Sequence, residues 1–257
     1  MTMPAPQIFI GMPIYQLGEE RSTKGLVRAL QKGDLPAMRT AAKILQRYPS
    51  ARFVVKPGTL LSIARAELAS AFVLSGCDYW LSLDQDIEFD LDVLEGLIAA
   101  DGDVVLATYP MRGAPEVMPL GFGKHDLHDL PLRTTRLGHR VIEVEAAGVG
   151  CTLIARRVLL ALQEKHPELR FFHWTKEPPE IQFAPDRQRW ALFNQEVRDV
   201  DGTPRYLGED YAFFHRVRAA GLRVECLVDA VIAHDGVAHS LAELFDPSQG
   251  IETWPRA

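Results

Sequence analysis

The feature that most constrains this chain is a hydrophobic period that switches repeatedly between the alternation of a strand and the wider spacing of a helix. QIFIGMPIY (7–15) reads as a buried strand closed by Pro13, AMRTAAKILQRY (37–48) as a helix, and ARFVVK (51–56) as a second strand. TLLSIARAELASAFVLSG (59–76) reads as a helix with Thr59 as its N-cap and Gly76 as its stop signal. DYWLSL then makes a strand, LDVLEGLIAA a helix, and DVVLATYP a strand ending at Pro110. Such alternation predicts the α/β class, with a mixed, mostly parallel sheet flanked by helices. Its 257 residues and 47% apolar content suffice for one core, so a single domain over 1–257 is expected. The internal seam falls in the loop-rich stretch from Met111 to Arg140.

A formal net charge of −6, from 28 basic and 34 acidic side chains, argues against nucleic acid or an anionic membrane surface as partner. Cys77, Cys151 and Cys226 are odd in number and form no CxxC pair, which speaks against a disulfide framework and fits a reducing compartment. No apolar run approaches the roughly 20 residues of a membrane span, and the first residues do not have the form of a signal peptide. A cytoplasmic location is the expectation.

Residues 78–90, DYWLSLDQDIEFD, run from an apolar strand straight into carboxylates. On extended backbone, side chains two apart point the same way, so Asp84 and Asp86 would present both acids together at the carboxyl end of a strand, where open α/β sheets gather ligands. The plainer alternative makes Asp84, Asp86, Glu88 and Asp90 turn and cap residues before the helix near Leu91. That explains Asp90 well and Asp84 poorly, because an unpaired charge at a buried strand end is costly.

With these residues in view, the chain resembles the GT-A fold glycosyltransferases of the broad family 2-like group, through the DxD motif Asp84-Gln85-Asp86 in the order strand, DxD, helix, strand. The resemblance spans most of residues 7–236. It implies a nucleotide-sugar half over about 1–110, an acceptor half over about 111–257, and a divalent metal, manganese or magnesium, on Asp84 and Asp86. It assigns Pro13, Tyr15, Arg65 and Asp84 to the donor, a UDP-sugar first and a GDP-sugar second. Glu209-Asp210 matches the family's ED motif, which makes Asp210 the general base of an inverting transfer. His234, after the apolar run VDAVIAH, corresponds to a late-strand metal ligand, with His239 as its rival. Read from the residues alone, Glu209 and Asp210 also suit the first turn of a helix. Gly148 and Gly150 in AAGVGCTLIARRVL suit a close ligand approach or a tight turn, and Trp174 and Trp190 suit sugar stacking or packing.

The expected acceptor is a glycan or a small hydroxyl compound. The closing stretch, LAELFDPSQGIETWPRA, reads as a short helix and tail that closes over the donor or pairs with a second copy in a homo-oligomer. Two alternatives stay open: a metal-dependent nucleotidyltransferase or phosphohydrolase using the same acids, and a sugar-nucleotide-binding protein without catalysis. There is no Walker-type phosphate loop, no HExxH and no GxGxxG after the first strand.

Overall fold

The computed structural model describes residues 5–14, 35–58, 60–114, 117–122, 127–173, 176–178, 181, 184–200, 202–234, 236–245 and 252–253. Tyr15, Thr59 and Trp174, named above, lie outside these residues.

Eight strands form the central sheet. In chain order they are β1 (Ile8–Ile14), β2 (Arg52–Pro57), β3 (Tyr79–Leu83), β4 (Val104–Leu106), β5 (Arg133–Thr134), β6 (Arg140–Glu143), β7 (Cys151–Ala155) and β8 (Val224–Leu227). Their order across the sheet is β2-β1-β3-β7-β4-β8-β6-β5. β2, β1 and β3 are mutually parallel, as are β4 and β8, while β7 and β6 run antiparallel to their neighbours. The α/β class with a mostly parallel sheet is therefore observed, and strands from both sides of residue 110 enter it.

The buried strands are apolar almost throughout, as a sheet covered on both faces requires. Alternate residues of β1 divide between two cores: Phe9 joins Trp80, Ile154 and Phe72, and Ile8, Ile10 and Met12 join Leu81, Leu83 and Leu153. On the first face pack α2 (Leu61–Ser75), α4 (Arg156–Lys165) and α5 (Glu209–Ala219), through Phe72, Leu159 and Phe213 among others. On the second pack α1 (Pro36–Arg47) and α3 (Leu91–Ala100), through Ile44 and Leu94. α2 stops where expected, at Gly76 in the left-handed region with φ 75°, but its N-cap position is Leu60, which has no side-chain oxygen to cap with, and not Thr59. No helix among the described residues is long and apolar enough to cross a membrane.

A smaller sheet matters more for the site. The two-residue strand Ile87–Glu88 pairs antiparallel with Val231–His234, which pairs in turn with Val237–Ser240. In that register His234 lies opposite Ile87, the residue after Asp86. The stretch 111–140, expected as loops or a hairpin, holds short strand pieces and ends in the β5/β6 hairpin, with Arg133 opposite Val141.

Candidate active site at the carboxyl edge of the sheet

Asp84 follows β3 directly, but the backbone does not continue extended. The Ile87 N–H donates to the Asp84 carbonyl at 3.1 Å, closing a turn over Gln85 and Asp86. The extended backbone from which a shared direction of the two acids is expected is therefore replaced by a turn. Both carboxylates are nonetheless buried, at 9% and 6% exposure. The other two acids face outward: Glu88 pairs with Arg39 at 2.9 Å, and Asp90 pairs with Lys43 at 2.7 Å. Asp90 occupies the N-cap position of α3 without a side-chain capping bond.

Arg65, on α2, is the hub. Its side chain is 1% exposed. Nη2 donates to both oxygens of Asp84 at 3.1 Å, and Nη1 donates to Glu209 Oε1 at 3.3 Å and to Asp210 Oδ1. One guanidinium thus ties Asp84, after β3, to Glu209 and Asp210 at the start of α5, over a hundred residues further along the chain. Burial works against the Arg65 charge, but Asp210 and Asp84 outweigh it and raise its pKa. Burial likewise raises the Asp84 carboxyl, with Arg65 opposing. For Asp210, burial is again the first cause; Arg65 opposes, Glu209 and Asp84 reinforce, and the pKa is pushed up to about 6. The Val149 N–H donates to Asp210 Oδ2 at 3.3 Å.

The loop before β7 encloses this cluster. The Asp84 N–H donates to the Gly150 carbonyl at 2.9 Å, and the Gly150 N–H donates to Tyr109 Oη at 3.1 Å. A Cβ on Gly150 would stand 2.6 Å from Asp84 Oδ2 and 2.7 Å from Tyr109 Oη. A Cβ on Gly148 would stand 2.3 Å from the same hydroxyl. Neither glycine has a positive φ, so both are required for space and not for turn conformation. Gly150→Ala is expected to lower unfolding stability by about 1–3 kcal/mol, read as a reduced denaturant midpoint at unchanged slope.

Asp86 occupies the other end. Its Oδ2 lies 3.4 Å from His234 Nε2 and also pairs with Arg112 Nη2. His234 Nδ1 is 2.6 Å from the Pro110 carbonyl oxygen, and its ring meets Tyr109 edge-on at 5.2 Å. A carbonyl only accepts, so Nδ1 carries a proton toward Pro110, and Nε2 is the nitrogen turned toward the Asp86 carboxylate. A carboxylate oxygen and an imidazole nitrogen brought together, with Arg112 on the same oxygen, are ligand types that a divalent ion accepts. A ring fixed through its other nitrogen by a backbone carbonyl is also how metal-binding histidines are oriented. Charge agrees: four carboxylates (Asp84, Asp86, Glu209, Asp210) against two guanidiniums (Arg65, Arg112) leave two negative charges. Among the described residues, no three His, Cys, Asp or Glu side chains stand together as a ready ion-binding group. The residues that fit a divalent ion are Asp86 and His234, with Asp84 turned to Arg65.

Pro13 is buried at the end of β1, two residues beyond the Gly11–Ser82 pair, just as Asp84 lies two beyond Ser82. His239 pairs with Glu243 at 2.6 Å on the adjoining strand, so the register brings His234, not its rival, to Asp86. Trp190 is half-buried against the first core. Tyr109 and Arg112 were not singled out in the sequence; their signal was the run DVVLATYP, which contains Tyr109 and ends two residues before Arg112, at the same sheet edge as DYWLSL.

Comparison with known proteins gives a likeness of chain path. The crystal structure of A197 from STIV is 16% identical, with a TM-score of 0.48 over 92% of this chain and 91% of that one. A Bacillus anthracis protein assigned as a glucose-1-phosphate thymidylyltransferase, in complex with a sucrose, is 11% identical, with a TM-score of 0.37 over 95% and 96% of the two chains. Both scores lie below the level at which a shared path speaks for chemistry. No protein-family model and no curated protein matches the sequence.

Proposed function

We propose that this protein is a metal-dependent glycosyltransferase that moves a sugar from a nucleotide-diphosphate sugar to a hydroxyl acceptor, with inversion and with Asp210 as base. The observation that carries this reading is the convergence of the first DxD acid, Asp84, and both ED acids, Glu209 and Asp210, on one buried guanidinium, Arg65. A cap needs no such partner, whereas a base must be held at fixed geometry in a site shielded from water.

In this reading the acceptor O–H gives its proton to an Asp210 oxygen as the acceptor oxygen bonds to the anomeric carbon. The bond from that carbon to the diphosphate oxygen breaks, and its electron pair leaves with the nucleoside diphosphate. Asp210, with a pKa pushed up to about 6, is mostly ionised at neutral pH yet more basic than an ordinary carboxylate. Arg65 holds Glu209 and Asp210 in place, and Tyr109 with Gly150 walls the site. A manganese or magnesium ion held by Asp86 and His234, with Asp84 alongside, would offset the charge growing on the leaving diphosphate. The donor is expected to be a UDP-sugar before a GDP-sugar, and the acceptor a glycan or small hydroxyl compound.

A thermal-shift panel of UDP-, GDP- and dTDP-sugars, each with and without manganese, tests this. The correct donor at a hundredfold excess over its Kd should add about 2.7 kcal/mol of stability. Asp86→Ala should remove the manganese-dependent part of that shift. Release of nucleoside diphosphate only with acceptor present identifies transfer; pyrophosphate release when a nucleoside triphosphate and a sugar 1-phosphate are supplied instead identifies the nucleotidyltransferase alternative, and binding without either product identifies a non-catalytic binder.

A further inference from the structure

The two guanidiniums of the site differ in exposure. Arg65 is fully enclosed and bound to three acids, whereas the Arg112 side chain is 44% exposed. Arg112 sits at the tip of a tight loop in which Met111 and Ala114 form a bridge, the Ala114 N–H donates to the Met111 carbonyl at 3.2 Å, and Gly113 is left-handed at φ 78°. The loop backbone is therefore pinned while the side chain reaches out from it. The Asp86 oxygen it pairs with is the one facing His234 Nε2 at 3.4 Å. That oxygen must turn to any cation held between Asp86 and His234, and a guanidinium against it would sit beside a like charge.

We propose that Arg112 is a counter-ion held in reserve: it pairs with Asp86 while no divalent ion is bound, and once displaced by the ion it grips the donor's phosphate oxygens. This rests on the metal reading above. The displaced fork stays within one side chain's length of Asp86, and a planar guanidinium matches phosphate oxygens two at a time. Its exposure gives it room to turn, which Arg65 lacks. Metal and Arg112 thus compete for one carboxylate and then cooperate on one ligand.

The test uses the full chain and two probes, manganese and inorganic pyrophosphate. Arg112→Ala is expected to bind manganese about tenfold more tightly than the parent and, at saturating manganese, to bind pyrophosphate about tenfold more weakly, both by calorimetry. Loss of a positive charge acting through space would give the same two signs. A second measurement therefore follows the rate at which an arginine-directed dicarbonyl reagent modifies Arg112, read by peptide mass spectrometry. The expected order is fastest with manganese alone, and slower both in the metal-free protein and with manganese plus pyrophosphate. An Arg112 rate indifferent to manganese, no protection by pyrophosphate, or equal manganese affinity of parent and variant overturns the role of Arg112 and leaves the metal reading standing. If neither chain binds manganese, both readings fall.

Discussion

Asp210→Asn is expected to lower the transfer rate by about 10²–10⁴ while donor and manganese affinities stay near the parent values. Asparagine keeps the shape and can still accept from Arg65, but its amide cannot take the acceptor's proton. Product formation at saturating donor and acceptor is the measurement, and full transfer by the variant would remove Asp210 from the role of base. The parent should also show an acid limb: kcat/KM rises as pH climbs through about 6, where Asp210 ionises, and this limb should be missing from the residual rate of the variant. Stability moves in the opposite direction. Because the folded-state pKa of Asp210 is raised, the folded chain holds that proton more tightly than the unfolded chain does. Its contribution to stability is therefore present at low pH and lost as pH rises toward and through 6. Asp210→Asn lacks that loss, so denaturation at pH 4.5 and pH 7 should show the variant gaining on the parent at the higher pH. A base kept partly desolvated for reactivity is costly to the fold, and the pair of measurements would show both sides of that exchange.

What was legible in the sequence depended on the range of the interaction. β1, β3, α2 and α5 lie close to where periodicity put them, because apolar spacing and punctuation such as Gly76 act within a few residues. The position of Asp84 at a strand end was legible for the same reason. The turn at Gln85-Asp86 was not, since an apolar Ile87 and Phe89 after the acids continue an extended pattern, and only the pairing of Ile87–Glu88 with Val231–His234 shows where the chain bends. Arg65 stands out only through the resemblance, as a donor contact; nothing within its own helix signals that its partners are Asp84, 19 positions on, and Asp210, 145 positions on. Gly148 and Gly150 were visible as glycines, but their cause, the hydroxyl of Tyr109 from the segment after β4, is a matter of packing at the sheet edge. Residues whose role is set by distant partners are those a single sequence leaves undetermined.

The partner dependence is greatest at Arg65, and its removal should have the largest effect on the fold. Arg65→Ala leaves Asp84, Glu209 and Asp210 facing one another around a cavity, with no counter-charge at the centre. Breaking a buried pair by deleting one partner costs about 3–5 kcal/mol, since the remaining charge is left uncompensated. Here three acids lose one cation, so the upper part of that range is expected. The loss should depend on pH in a defined sense. Without Arg65, which now opposes the rise at both Asp84 and Asp210, their folded-state pKa values go higher still. A carboxyl with a raised folded pKa loses its stabilising contribution as pH increases, so the deficit of the variant should be smallest near pH 4.5, where protonation relieves the repulsion, and largest near pH 8. Urea denaturation at the two values checks this; a deficit that is the same at both would show that packing and not charge explains it. Should Arg65→Ala fail to fold at pH 8, Arg65→Lys serves the same purpose. It restores the charge but not the fork, so it should recover most of the stability while leaving Asp210 imprecisely held and transfer impaired.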